Sequence, residues 1–514
     1  MTALMGQDNK NIPFMLIEPV KTEYRRLKAL KKHPDPRIRG LANALEFYAP
    51  GNEKLSPIKL NPLERIPGIE LDEHIENLLG CLMAAMPVSG PLPALLLEAL
   101  EKVYKIYPDP NYPPVMADLV EAANAVLDSK GYSPETNSDI RSALEVRIGR
   151  LTRGSIGKVF QCRRSVPSIG HLMTVPSIIE LNRLPAEQSR LLTLFILNRV
   201  REGRKVTPAM GDRPISNVIA LEEAHVIIGR ASEARPSEEN PDTKAYATEF
   251  ICRMLAELRG YNVSIIIIDQ LPSAIAAEVR KITGSKLTLL HVDDEERQAI
   301  GGTMLMRKGE LEDMGRLPPG QGFLFTPGYF RARKIRTVNI HEKLDLSSEL
   351  SDDKLRAIIQ QEEWFKQAAT KRISTELDQL KEYMDQYDIQ KSDIANEVTR
   401  LLKAYEFLLA QKDDPLKKRR LTAMVGSLRR LRRKLMSSHS QFKEGPYRMF
   451  SYLITAEIDC KESELKALAE SLNRRFESVI KLGTQGLLRV IDKLIKNCMR
   501  LKFKETDHVK KKKN

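Results

Sequence analysis

The sequence predicts an α/β fold: a mostly parallel sheet with an inserted helical subdomain, followed by an all-helical C-terminal region. Three observations predict it. Short apolar runs alternate with helical stretches from Ile12 to about Lys343, four successive helical patterns fill residues 72–160, and no strand pattern follows Ser347. The chain therefore divides into a sheet-based unit over residues 1–343, carrying the insertion at 72–160, and a basic helical region over 344–514, coiled-coil in part.

The expected strands are residues 13–17, 218–221, 263–268, 286–291 and 322–326. Residues 218–221 are a short continuous apolar run, the pattern of a strand covered on both faces, and residues 264–268 read as a second buried strand. The inserted helices are expected over 73–86, 93–106, 115–129 and 136–151, with apolar residues at helical spacing and Pro, Gly or Asn between them. Another helix is expected over 243–259. Beyond Ser347, residues 355–409, 416–436 and 462–503 are charged with helical apolar spacing, broken by Pro415 and Gly445-Pro446.

At 514 residues, 42% hydrophobic and 29% charged, the composition is that of a globular protein with two or three domains. Cys81, Cys162, Cys252, Cys460 and Cys498 form no CxxC and no Cys/His set, which argues against zinc and a disulfide framework. No apolar run has the length of a membrane span, and no secretory pattern opens the sequence. The expectation is a cytoplasmic protein without a membrane partner.

The net charge of +14 is concentrated late in the chain, at Lys417-Lys418-Arg419-Arg420, Arg429-Arg430, Arg432-Arg433-Lys434 and Lys510 to Lys513. Such clusters suit nucleic-acid phosphates, and equally a solvated helix face.

The segment Asn217-Val-Ile-Ala-Leu-Glu-Glu-Ala-His225 carries the most chemistry. A buried parallel strand ending in two carboxylates delivers them to the sheet edge where ligands collect. One acid, Glu222, suits a hydrated Mg²⁺, and the other, Glu223, suits orienting or deprotonating an attacking water. The bland alternative is a core strand that ends in exposed acids. A second run, Ser264-Ile-Ile-Ile-Ile-Asp-Gln270, places Gln270 where a polar group senses a γ-phosphate. On the preceding helix Arg253 and Arg259 are candidates to reach a neighbouring subunit's phosphate, with surface ion pairing as the ordinary reading.

A nucleotide site also needs a phosphate cradle, GxxxxGK followed by Ser or Thr, and none occurs. The nearest string, residues 154–158 (Gly-Ser-Ile-Gly-Lys), has Thr152 in place of the first glycine and Val159 in place of the hydroxyl.

Ile17-Glu-Pro-Val-Lys-Thr-Glu-Tyr-Arg25, Pro50-Gly-Asn-Glu with Ser56-Pro-Ile-Lys-Leu-Asn-Pro62, Leu221-Glu-Glu-Ala-His225, Leu255-Ala-Glu-Leu-Arg-Gly-Tyr261 and Ile268-Asp-Gln-Leu-Pro-Ser273 follow one another in this order. Together they resemble the motifs of HerA-type ATPases of the HerA/FtsK group of P-loop motors, over residues 12–343. The resemblance implies a RecA-like core, ATP with Mg²⁺, a homo-hexameric ring translocating double-stranded DNA, and often a nuclease or other effector partner. It assigns Glu222 to the Mg²⁺ side, Glu223 to catalysis, Gln270 to sensing and Arg259 to a neighbouring site. Many relatives have Asp where Glu222 stands. Glu18, Lys21 and Arg25 match a family segment whose role does not follow from physics.

In that family the phosphate loop precedes the strand holding Ile17-Glu-Pro. The expectation is that the sequence starts just after the loop, so that the RecA-like core is incomplete at its N-terminus and this chain alone is inactive. Three readings stay open: a translocase subunit seen without its loop, a nucleotide-incompetent scaffold binding DNA or proteins through its basic helices, and a split enzyme whose loop comes from another polypeptide. A metal-dependent nuclease using Glu222, Glu223 and Asp269 is weaker. His225 and His74 are expected as polar-contact residues, not metal ligands. Residues 301–306 (Gly-Gly-Thr-Met-Leu-Met) are expected as packing.

Overall fold

A computed structural model describes residues 12–86, 90–110, 113–160, 162–207, 215–229, 243–344, 346 and 349–368. Five strands make a wholly parallel sheet: β1 (Phe14–Glu18), β2 (Glu46–Tyr48), β3 (Ser177–Glu180), β4 (Asn217–Leu221) and β5 (Val263–Ile267), in spatial order β2-β3-β1-β4-β5. β1 is central and buried throughout.

Strand residues alternate between two cores, as the two-residue period requires. Met15, Ile17, Ile179, Ile219 and Leu221 face one core, which they share with the helices Leu71–Ala85, Ala186–Val206 and Thr243–Gly260. Phe14, Leu16, Ile178, Val218 and Ala220 face the other. Each such side chain stabilises by about 1.5–3 kcal/mol only when it is covered. A strand apolar on both faces is therefore worth most at the sheet centre, where β1 lies.

The helices Leu71–Ala85, Leu92–Ile106, Met116–Ser129, Pro134–Arg147 and Gly154–Phe160 lie between β2 and β3 in the chain. Their apolar stripes join the first core. Residues 154–158, the glycine-lysine string, belong to the short helix that sends Ile156, Val159 and Phe160 into that core.

The second face is closed by residues beyond position 343. Leu355 and Ile359 of the helix Asp352–Ile359, followed by Phe365, pack on Phe14, Leu16 and Phe47. Polar contacts fix this strap. Arg25 donates to Asp352 at 2.6 Å, and the buried ammonium of Lys28 meets Glu362 at 2.8 Å. Burial pushes Lys28 down to about 8, against the pull of Glu362. The Trp364 ring stands edge-on to Tyr48 at 5.4 Å.

Two expected strands do not join the parallel sheet. β6 (Lys286–Thr288) and β8 (Arg333–Arg336) each pair antiparallel with β7 (Gln321–Phe325), which is the middle strand of a second, three-stranded sheet. The connection between β7 and β8 is short, and only an antiparallel pair can be joined that way. Met304 and Met314 pack under this sheet with Phe323, so the methionine-rich stretch is packing there. The helical pattern expected from 369 onward lies outside the described residues, as do Cys460 and Cys498.

Candidate functional site at the carboxyl edge of the sheet

Register places the acids together. Glu18 pairs with Glu180, Ile17 with Leu221, and Leu221 with Ile267. Four strands therefore end side by side, each followed by polar groups: Glu18, Glu180, Glu222-Glu223 and Asp269-Gln270.

Behind β4 the chain turns sharply at Glu223, whose backbone is left-handed (φ 44°, ψ 51°), a conformation costing a non-glycine residue on the order of 1–2 kcal/mol. The turn is held by Ala224 N–H donating to Ile268 O at 3.2 Å and Ile268 N–H donating to Leu221 O at 2.9 Å. It gives the two glutamates different partners. Glu223 Oε1 accepts from Gln270 Nε2 at 2.9 Å and lies 3.4 Å from Lys21 Nζ. Glu222 Oε1 accepts from the Tyr24 hydroxyl at 2.5 Å.

Glu18 sits between these groups, 1% exposed. Its Oε1 accepts from Glu23 N–H at 3.0 Å, and its buried Oε2 has no partner among the described residues. Burial, with Glu180 and Glu222 adding repulsion, pushes its carboxyl up to about 7. Burial and the bond to Glu222 likewise push the Tyr24 phenol up. Glu180 is held differently. Arg25 grips it with Nε at 2.7 Å and with a second guanidinium nitrogen, a bidentate pair in which both residues are buried. Burial still leaves the Glu180 carboxyl above its usual range, with Arg25 opposing.

Beside Glu223, Asp269 Oδ2 accepts from His225 N–H at 2.7 Å and lies 2.9 Å from His225 Nδ1, which is 3.7 Å from Glu223 Oε2. Ligating atoms of Glu223, His225 and Asp269 all lie within 4.8 Å of one another. Their mostly oxygen donor set suits a hard divalent cation. His74 is a buried side chain far along the first core, its Nδ1 3.0 Å from Glu202.

Of the residues expected from the sequence, Glu18, Lys21, Glu222, Glu223 and Gln270 come together at this edge, with Arg25 behind them on Glu180. Arg259 does not join them. It is exposed at the end of the helix Thr243–Gly260, where Asn262 N–H donates to its carbonyl at 3.1 Å, just ahead of β5. Five strand residues, on the order of 15 Å, separate that edge from Gln270. Arg253 is also exposed, 5.9 Å over the Phe250 ring. Lys417, Lys418, Arg419, Arg420, Arg429, Arg430, Arg432 and Arg433 lie outside the described residues.

Sequence reasoning missed Glu180 and Tyr24. Ser177-Ile-Ile-Glu180 has the same apolar-into-acid form as β4, and that form was the available signal. Tyr24 carries no such signal, since its role depends on the 3-10 stretch Glu23–Lys32 folding back over the strand ends.

No family model matches the chain, and no curated protein does. Solved structures that it resembles include VirB4 of Thermoanaerobacter pseudethanolicus, at 18% identity over 65% of this chain and 83% of that one, with a TM-score of 0.44. The bacterial conjugative coupling protein TrwB is 10% identical over 63% and 84%, with a TM-score of 0.40. The genome packaging NTPase B204 of Sulfolobus turreted icosahedral virus 2, in complex with AMPPCP, is 11% identical over 34% and 73%, with a TM-score of 0.24. At these scores the likeness carries no argument about activity.

Proposed function

We propose that this chain is the RecA-like core of a HerA-like motor that hydrolyses ATP with Mg²⁺ to translocate or remodel double-stranded DNA as a homo-hexamer. The observation that carries the reading is the contact of Gln270 with Glu223 across the carboxyl ends of two adjacent parallel strands. In such a site the carboxylate accepts the proton of an attacking water, and the amide reports the γ-phosphate to it. Glu222 is an oxygen donor that would hold a hydrated Mg²⁺, and that ion would supply charge neutralisation on the phosphates. Lys21, 38% exposed beside Glu223, is a cation available to the same phosphates. Arg259, exposed at the opposite edge, would act on a neighbouring subunit in this reading. The phosphates themselves have no glycine-rich cradle in these 514 residues.

That last point favours one competing reading, a nucleotide-incompetent scaffold that binds DNA or proteins through its basic helices. Phosphate release and binding of a fluorescent ATP analogue, measured on protein from its native source, separate the two. The motor predicts that Glu223→Gln lowers hydrolysis by about 10²–10⁴-fold while binding survives. A wild-type protein that binds no nucleotide leaves the scaffold.

A further inference from the structure

Residues 315–341 contain five basic side chains, Arg316, Arg331, Arg333, Lys334 and Arg336, and no acid. Four of the five lie on the hairpin that joins β7 to β8. One face of that hairpin is anchored, with Phe323 packed among Met304, Met314, Leu317 and Ala332, so the hairpin is a fixed projection of the second sheet. Its turn is tight. Gly328 takes φ +94°, a conformation only glycine adopts cheaply, and Tyr329 N–H donates to Thr326 O at 3.0 Å.

The tip presents rings and cations together. Phe330 is 99% exposed, and the Arg333 guanidinium lies 4.4 Å over the Tyr329 ring. Arg331, Arg333, Lys334 and Arg336 are exposed, and among the described residues none of them pairs with a carboxylate. A lone surface phenylalanine or a lone arginine is ordinary. A fully exposed ring beside a guanidinium-capped ring, fringed by three further cations with no carboxylate partner among the described residues, presents stacking faces and phosphate donors on one anchored hairpin.

We infer that the β7–β8 hairpin is a contact for unpaired stretches of a polynucleotide, with Arg331, Lys334 and Arg336 on the phosphates and bases stacked on Phe330 and on the Tyr329–Arg333 pair. Free ring faces exist on unpaired bases and are hidden within a duplex, which assigns the partner to single strands or to the open part of a junction. The inference rests on the reading that the chain handles a polynucleotide, and it adds which element touches it and in what strand state.

The experiment is fluorescence anisotropy of the full chain, without nucleotide, against a labelled oligothymidylate and a duplex of equal length over a salt series. Tighter binding of the single strand is expected. Phe330→Ala should weaken it about tenfold, since each base–ring stack is worth that much, while leaving the salt slope unchanged. The exposure of Phe330 means this change leaves the fold intact, and Phe330→Trp should restore binding. Arg331→Ala with Arg336→Ala should lower the salt slope by about 0.7 for each phosphate no longer neutralised. Wild-type binding that none of these variants alters overturns the hairpin assignment and leaves the motor reading standing. A wild type that binds neither nucleic acid overturns both. Hairpin-dependent binding to phosphatidylserine vesicles, with none to oligothymidylate, overturns the assignment in favour of an anionic membrane.

Discussion

Replacing Glu18 by Gln should make the protein more stable at pH 8 and barely change it at pH 5. Glu18 is buried at the end of the central strand, with Glu180 and Glu222 as neighbours and one carboxylate oxygen unpartnered. Its carboxyl titrates at about 7 in the folded protein, against 4.5 ordinarily. A raised folded value means the native state keeps a proton that the unfolded chain releases. The favourable contribution is fully present below about pH 4.5 and is lost as pH rises through about 7. The gap of about 2.5, at ~1.36 kcal/mol for each pH unit, gives roughly 3 kcal/mol. Gln keeps the shape and cannot ionise, so the variant should gain up to about 3 kcal/mol over wild type between pH 5 and 8. Urea titrations of both proteins across that range measure this, because their difference cancels the titrating groups that are not coupled to Glu18. A difference that stays constant with pH would refute the reasoning.

Arg25→Ala leaves Glu180 buried and without its guanidinium and removes one of the two arginines on Asp352, so it should cost about 3–5 kcal/mol in the same titrations. Arg25→Lys should recover little of this, since an ammonium cannot make the two-nitrogen grip. Gly80→Ala should cost about 1–3 kcal/mol: a Cβ there would lie 2.8 Å from Cζ of Phe250 and nearer still to two other ring atoms, and differential scanning calorimetry would show a lowered Tm. Timed alkylation with peptide mapping should modify Cys252 ahead of Cys81 and Cys162, because Cys252 is half-buried while burial pushes the Cys81 thiol far up and Cys162 is 1% exposed.

The parallel core was legible wherever a strand is a continuous apolar run. β1, β4 and β5 announce themselves, as do the helices of the insertion with their 3.6-residue spacing. β2 is only Glu46-Phe-Tyr48 and has no such run; it is held in the sheet by pairing with β3 and by Trp364, both distant in the chain. The grouping of β6 and β7 in a separate sheet was hidden because apolar alternation says nothing about which partner a strand takes. At the site, Glu222, Glu223 and Gln270 were legible because consecutive residues at a strand end share one edge. The contacts of Arg25 with Glu180, and of Tyr24 with Glu222, span about 155 and 198 positions of sequence and exist only once the sheet is assembled.

The charges at this edge are not evenly compensated, and the pattern separates scaffolding from chemistry. Glu180 is neutralised in place by Arg25, and the strap's Asp352 completes that arginine's coordination. Glu223 has an amide and an ammonium within reach. Among the described residues Glu222 has only a phenol, and Glu18 only one backbone N–H. If burial and sheet pairing were the sole demands on position 18, Gln or a shorter polar residue would satisfy them better, since a second carboxylate beside Glu222 destabilises the fold through repulsion and desolvation. Residues that oppose stability in this way concentrate where a ligand supplies the missing charge. In the isolated chain a proton on Glu18 relieves the strain. A cation bound at this edge in the proposed reaction would relieve it as well, and Glu18→Gln would then both raise stability and weaken cation affinity there.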